Sequence, residues 1–130
     1  MENIKSKAGI LAKKYGIDMI ILFGSYADNT ATPKSDVDFA YTKSEPLSFE
    51  NQISLGNELA PLFGTEAVDV VYLNQTSPVF MYQIMKKAKL LFSRNPIFFH
   101  NYFSYAIKRI HENMFLYDMK FKRLCVEYGV

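Results

Sequence analysis

The sequence predicts an α/β domain: a small mixed sheet flanked by helices, with a long helix at the C-terminal end. Three observations point there. Short apolar runs at 18–23, 37–41, 67–73 and 89–92 alternate with stretches of helical periodicity. Turn residues punctuate the joins, with Gly16, Gly64 and Asn95-Pro96 the clearest. A chain of 130 residues, 49% hydrophobic and 22% charged, has the size and the apolar content of one packed domain. We therefore expect a single domain over 1–130, with a core of about 1–93 and an interaction helix of about 96–127.

Taken in order, residues 2–15 place Ile4, Ala8, Leu11 and Ala12 on one helical face, and Gly16 is the natural cap after Lys13, Lys14 and Tyr15. The run 18–23 is apolar on both faces and reads as a central strand. Gly24 ends it, and Ser25 to Ala27 can open a short helix with Ser25 near its N-cap. Residues 29–35 form a loop, and 37–41 form a second strand. A helix begins at 44–49 with Pro46 near its first turn, and Ile53, Leu55, Leu59 and Leu62 keep it amphipathic to Gly64. In the strand 67–73, alternation puts Asp69, Val71 and Leu73 on one face and Val68, Val70 and Tyr72 on the other. A turn at 74–77, a helix at 78–87 and a short strand at 89–92 precede the last helix.

The stretch from Leu22 to Tyr41 holds the chemistry. Gly24-Ser25 follows a strand, and Asp36 and Asp38 lead into the next one at i and i+2, on one face. Asp69 stands alone within an apolar run, where an unpaired buried carboxylate is costly. Singly, each has a plain reading: a polar turn, a helix cap, a salt-bridged strand residue. Together they describe a site for divalent metal and a triphosphate. Two carboxylates on one face, with a third from a neighbouring strand, can share two Mg²⁺ ions. Gly24 lets the backbone approach a phosphate, and Ser25 can donate its hydroxyl and N–H. Asp69 can also take the proton of an attacking hydroxyl.

The run LFGSYADNTATPKSDVDFAY resembles the signature of the polymerase-beta-like nucleotidyltransferases: Gly-Ser, about ten residues, Asp-x-Asp, then a third Asp on a later strand. The short chain and the setting of Asp69 are similar to the minimal nucleotidyltransferases, or MNT proteins. The resemblance implies that fold. It implies that Asp36, Asp38 and Asp69 are catalytic and hold two Mg²⁺ ions, and that Gly24 and Ser25 seat the triphosphate of ATP. Many MNT proteins are antitoxins of HEPN toxins, so it further implies AMP transfer to a tyrosine hydroxyl of a HEPN partner. One departure matters. Asp28 and Asn29 stand where the family often has a basic residue and then Gly, and a carboxylate there repels a triphosphate. Lys34, in the same loop, is expected to compensate. An antitoxin that acts by binding alone stays open as an alternative, as does transfer to a small-molecule hydroxyl such as an aminoglycoside.

In the last helix, Phe103, Ile107, Ile110, Met114, Tyr117, Phe121 and Leu124 form a heptad seam, widened by Tyr102, Ala106 and Leu116. A helix of roughly 30 residues is about 45 Å long, more than a small domain can cover. Part of the seam is therefore expected to meet the partner or a second copy; the alternative is that it folds back on the sheet. Arg94 and His100 resemble the Arg-x(4–6)-His motif of HEPN ribonucleases, but too few residues follow for a helical bundle. Cys125 is expected to pack, and His100 and His111 lie too far apart along a helix to share a metal. A net charge of +2 gives no argument for direct nucleic-acid or membrane binding. A single cysteine and the lack of a leader-like or membrane-spanning run lead us to expect a cytoplasmic protein.

Overall fold

The computed structural model describes residues 2–27, 36–65 and 67–128, with the side chains of the last helix described through Met114 and at 119, 122 and 123. Helix α1 (Glu2–Tyr15) buries Ala8 and Ala12, with Ile4 and Leu11 beside them. It ends where Gly16 takes φ +68° and the Ile17 N–H reaches back to the Ala12 carbonyl at 2.8 Å, as the sequence predicts. Strands β1 (Met19–Phe23), β2 (Val37–Thr42), β3 (Val68–Tyr72) and β4 (Lys89–Ser93) form one sheet in the order β3-β2-β1-β4. β1 is antiparallel to both of its neighbours, while β2 and β3 are parallel. β1 is central, which explains its unbroken apolar run.

Parallel strands need a crossover, and helix α2 (Phe49–Leu59) supplies it between β2 and β3. Its start differs from expectation: Ser48 is the N-cap, accepting from the Asn51 N–H at 3.1 Å, so Pro46 lies ahead of the helix. Its end also differs. Pro61 cannot continue the α-helical ladder, and Ala60–Phe63 tighten into a 3-10 turn closed by Gly64 at φ +68°. Helix α3 (Pro78–Lys86) is capped by Ser77 and has Pro in its first turn, as expected.

Alternation along the strands divides the core. Ile20, Leu22, Phe39 and Tyr41 meet α1 and α2 on one face. Met19, Ile21, Ala40 and Leu73 meet α3 and helix α4 (Ile97–Tyr128) on the other. Ala106 is fully buried there, with Phe98, Phe99, Tyr102 and Phe103 around it. The packed stripe of α4 is thus centred on Tyr102 and Ala106, one position off the heptad seam. Of the seam itself, Ile107 and Ile110 are half-buried and Met114 is 63% exposed. Tyr117, Phe121, Leu124 and Cys125 lie outside the described side chains. Arg109 fastens the helix at that point, donating to the Thr76 carbonyl at 3.0 Å.

Candidate active site

The rim where β1 ends and β2 and β3 begin gathers the predicted residues. Phe23, the last residue of β1, lies opposite Asp38, and Asp38 lies opposite Asp69. Three neighbouring strands therefore bring Gly24, Asp38 and Asp69 side by side. Asp36 and Asp38 share a face with Ala40, and Asp69 shares one with Val71. This is the face that α3 and α4 cover further along the sheet.

Gly24 has φ +74°, a conformation that costs an L-residue, and opens a one-turn 3-10 helix, Gly24–Tyr26. A Cβ built on Gly24 would overlap the Asp38 carboxylate. The glycine is required by the backbone and by the close approach of Asp38. Ser25 lies within the turn rather than at its cap: the cap position is Phe23, which makes no side-chain bond. The turn is too short and too tightly led in from the strand for a capping serine. Lys34, Asp28 and Asn29 lie outside the described residues.

Burial pushes the Asp38 carboxyl above its ordinary value, and the charges of Asp69 and Asp36 push it the same way. The three carboxylates therefore act on one another. Asp69 corrects an expectation of burial: it is exposed, because β3 is an edge strand with solvent beside it. Asp36 is exposed just ahead of β2. Among the described residues, no three His, Cys, Asp or Glu side chains already close on a metal-sized point. The arrangement is an open acidic rim. An all-oxygen donor set is what a hard divalent cation takes, and a cation there would relieve the repulsion at Asp38. The residues fit Mg²⁺ on those two counts.

Two clefts lie near the rim, one on each face of the sheet. One, of about 270 Å³, lies beside Gly24 and is lined by Phe23, Phe80, Gln83, Lys86 and Lys87. The other, of about 240 Å³, lies beside Asp69 and is lined by Gln52, Ile53, Asn57, Val68 and Val70. Gln52 also donates to the outward-facing Val70 carbonyl at 3.1 Å, satisfying part of the open strand edge. Neither cleft was foreseen from sequence. The one available signal was the placing of Phe80 and Gln83 on one face of α3, with Lys86 and Lys87 at its end.

Residues 3–97 match the family model described as polymerase beta, nucleotidyltransferase. The chain belongs to that family. Two Methanocaldococcus jannaschii proteins that carry the provisional name protein adenylyltransferase are similar to it. One is 36% identical over 73 residues, covering 56% of this chain and 74% of its own. The other is 32% identical over 88 residues, covering 68% and 94%. The fold is shared with solved structures. A chain of a toxin–antitoxin complex with AMP-PNP aligns with a TM-score of 0.74 at 22% identity, over 92% of this chain and 97% of that one. A chain of the complex between tri-AMPylated Shewanella oneidensis HEPN toxin and MNT antitoxin aligns at 0.69 and 20% identity, over 95% and 98%.

In this nucleotidyltransferase the Arg94–His100 pair lies at the other end of the sheet. Arg94 sits 3.2 Å from the Asp18 carboxylate, and its N–H donates to the Asp18 carbonyl at 2.7 Å. Its guanidinium lies over the Phe98 ring, and His100 is exposed. Arg94 ties the start of α4 to the start of β1. No helix among the described residues is long and apolar enough to cross a membrane.

Proposed function

We propose that this chain is the antitoxin of an MNT–HEPN pair, and that it transfers AMP from ATP to a tyrosine hydroxyl of its HEPN partner and so neutralises it. The observation that carries the reading is Asp38, held between Asp69 on one side and Gly24 on the other, with its carboxyl raised by burial and by its acidic neighbours. The provisional name of the relatives and the toxin–antitoxin origin of the matching folds support the substrate and the partner.

The roles follow from the surroundings. Gly24 leaves room for a phosphate beside Asp38, and Ser25 in the following turn donates to it. Lys34 would offset the charge of Asp28. Asp36, Asp38 and Asp69 would hold two Mg²⁺ ions, which would offset the triphosphate charge and that of the leaving pyrophosphate. Asp69, open to solvent, takes the proton of the acceptor hydroxyl. The exposed stretch of α4 around Tyr105 and Met114 docks the partner, and the chain works as one domain in the cytoplasm.

The test is the intact mass of the co-expressed partner after incubation with Mg²⁺ and each nucleoside triphosphate in turn. The expected result is a gain of one or more AMP units from ATP, absent with Asp36→Asn or Asp38→Asn. A tight complex that neutralises the partner without a mass change would overturn transfer and leave an antitoxin that works by binding.

A further inference from the structure

The two edges of the sheet are not alike. β4 begins at Lys89 and is bulged against β1 between Ile20 and Ile21, and a lysine and a bulge both discourage a further strand. β3 pairs with β2 in unbroken register and carries neither device. The Val37 N–H donates to the Ala67 carbonyl at 2.9 Å. By alternation, Asp69 and Val71 turn their backbone groups to β2, while Val68, Val70 and Tyr72 turn theirs outward. Gln52 covers one of these groups, the Val70 carbonyl. On the α2 side of this edge lies the cleft of about 240 Å³ that Val68, Val70 and Gly56 line. Ile53 also lines it and is 48% exposed. Phe49, one turn earlier on the same side of α2, is 80% exposed.

The surroundings of this edge are acidic, in a chain whose net charge is +2. Glu50 is exposed on α2, three residues before Ile53. Burial, and then the charge of Glu45, raises the Tyr72 hydroxyl above its ordinary value, which sets the exposed Glu45 beside the far end of β3. Asp69 is exposed on the other face of the same strand. The cleft has no cation among its described lining residues, and the Lys43 side chain lies against Gly16 at the end of α1. From the open edge, the cleft and these carboxylates we infer that β3 and α2 dock an extended, basic segment of a partner protein, which adds to the sheet as a further strand. The segment's main chain meets the outward groups of Val68 and Val70. An apolar side chain enters the cleft, and a Lys or Arg two residues along, roughly 7 Å away on the same face, reaches Glu45. Main-chain bonds supply affinity whatever the sequence; the cleft and the carboxylates select the segment. A second copy of this chain is the wrong occupant, because pairing two β3 strands sets one acidic edge against another. The dock uses no metal and no nucleotide, so it stands apart from the transfer reading.

The probe is the peptide acetyl-Thr-Lys-Thr-Val-Thr-Lys-Thr-amide. It sets Val between two lysines on one face, so either chain direction brings a lysine to Glu45. Its control carries Glu in place of both lysines. Amide NMR of the whole chain, without nucleotide or metal, follows each titration. The basic peptide is expected to shift the Ile53, Asn57, Val68 and Val70 amides and, at saturation, to slow hydrogen exchange at Val68 and Val70 about tenfold. Glu45→Lys and Ile53→Lys, both at exposed positions, are each expected to weaken it about fivefold or more. The Glu peptide is expected to shift none of these amides. No response to the basic peptide by about 5 mM, equal responses to the two peptides, or shifts without slowed exchange at Val68 and Val70 overturns the inference. So does protection of those two amides in the free protein that grows with its own concentration, the mark of a second copy on the edge.

Discussion

Replacing Gly24 by Ala separates the two demands on that position. The first is conformational: at φ +74° an alanine pays about 1–2 kcal/mol for the left-handed region. For a chain of this length that is a fall in melting temperature of roughly 4–7 °C. The second is spatial. The new Cβ would lie 3.2 Å from the Asp38 carboxylate carbon and inside contact distance of one carboxylate oxygen. That oxygen is the free end of a side chain, so it can retreat by about 1 Å at little cost to stability. The cost falls on catalysis, where a displacement of that size is worth about 10²-fold. Gly64 is the matched control: φ +68° and open space around a built Cβ. Both alanine variants are expected to lose the same melting temperature by scanning calorimetry, and only Gly24→Ala to lose about 10²-fold in the rate of AMP transfer, followed by partner mass. Equal rates in the two variants would refute the idea that Asp38 depends on the missing side chain.

Three further outcomes are expected. With metal chelated by EDTA, Asp38→Asn should melt above wild type at pH 7, because a raised folded-state carboxyl means the charged form is disfavoured by folding. Such a group stabilises fully below the unfolded value and loses that stabilisation as pH rises through the folded one. The advantage of the Asn variant should therefore shrink as pH falls toward 3.8, and a constant or growing gap would contradict the coupling. Ser48→Ala should cost about 1 kcal/mol in urea unfolding, by removing the bond to the Asn51 N–H, with transfer unchanged at equal folded fraction. Met114→Glu should weaken partner binding tenfold or more by calorimetry while leaving AMP-PNP affinity intact; an unaffected complex would mean that this stretch of α4 does not dock the partner.

What could be read in the sequence was what local patterning controls. The runs around Ile20, Phe39 and Val70 alternate or fill as their place in the sheet demands, and Gly16 and Ser77 announce helix ends. The rim was legible too, because Gly24, Asp38 and Asp69 each stand at a strand end, and strand ends meet once the strands pair. Other features depended on what neighbours do. Asp69 looked buried because its run is apolar, but edge position is a property of sheet order and no local pattern encodes it. The start of α2 slipped from Pro46 to Ser48 because two adjacent candidates compete for one cap. The packed face of α4 turned from the heptad seam to Tyr102 and Ala106, because α3 and the sheet meet that helix at one register out of several apolar ones. The lysine-lined cleft was invisible because α3 and β1 are far apart in the chain, and Phe23 and Gly24 come beside Phe80 and the lysines only once the chain folds.

The same sheet order divides the labour of the two strand carboxylates. Asp38 lies on an inner strand, half-buried, with Gly24 against it and Asp69 beside it. A charge held that way is fixed in direction, which suits a group that anchors the phosphate end of the site. Asp69 lies on the edge strand with water on one side, so a proton it accepts can leave. Two carboxylates of one cluster are thus placed in environments that favour different tasks. Asn at each position keeps the shape and removes the charge. Asp38→Asn should lose AMP-PNP binding and transfer together. Asp69→Asn should keep AMP-PNP affinity within a few-fold and slow single-turnover transfer by about 10²–10⁴, the usual worth of a positioned general base. If Asp69→Asn loses AMP-PNP as fully as Asp38→Asn does, the two residues serve one purpose, and the proton must leave by another route.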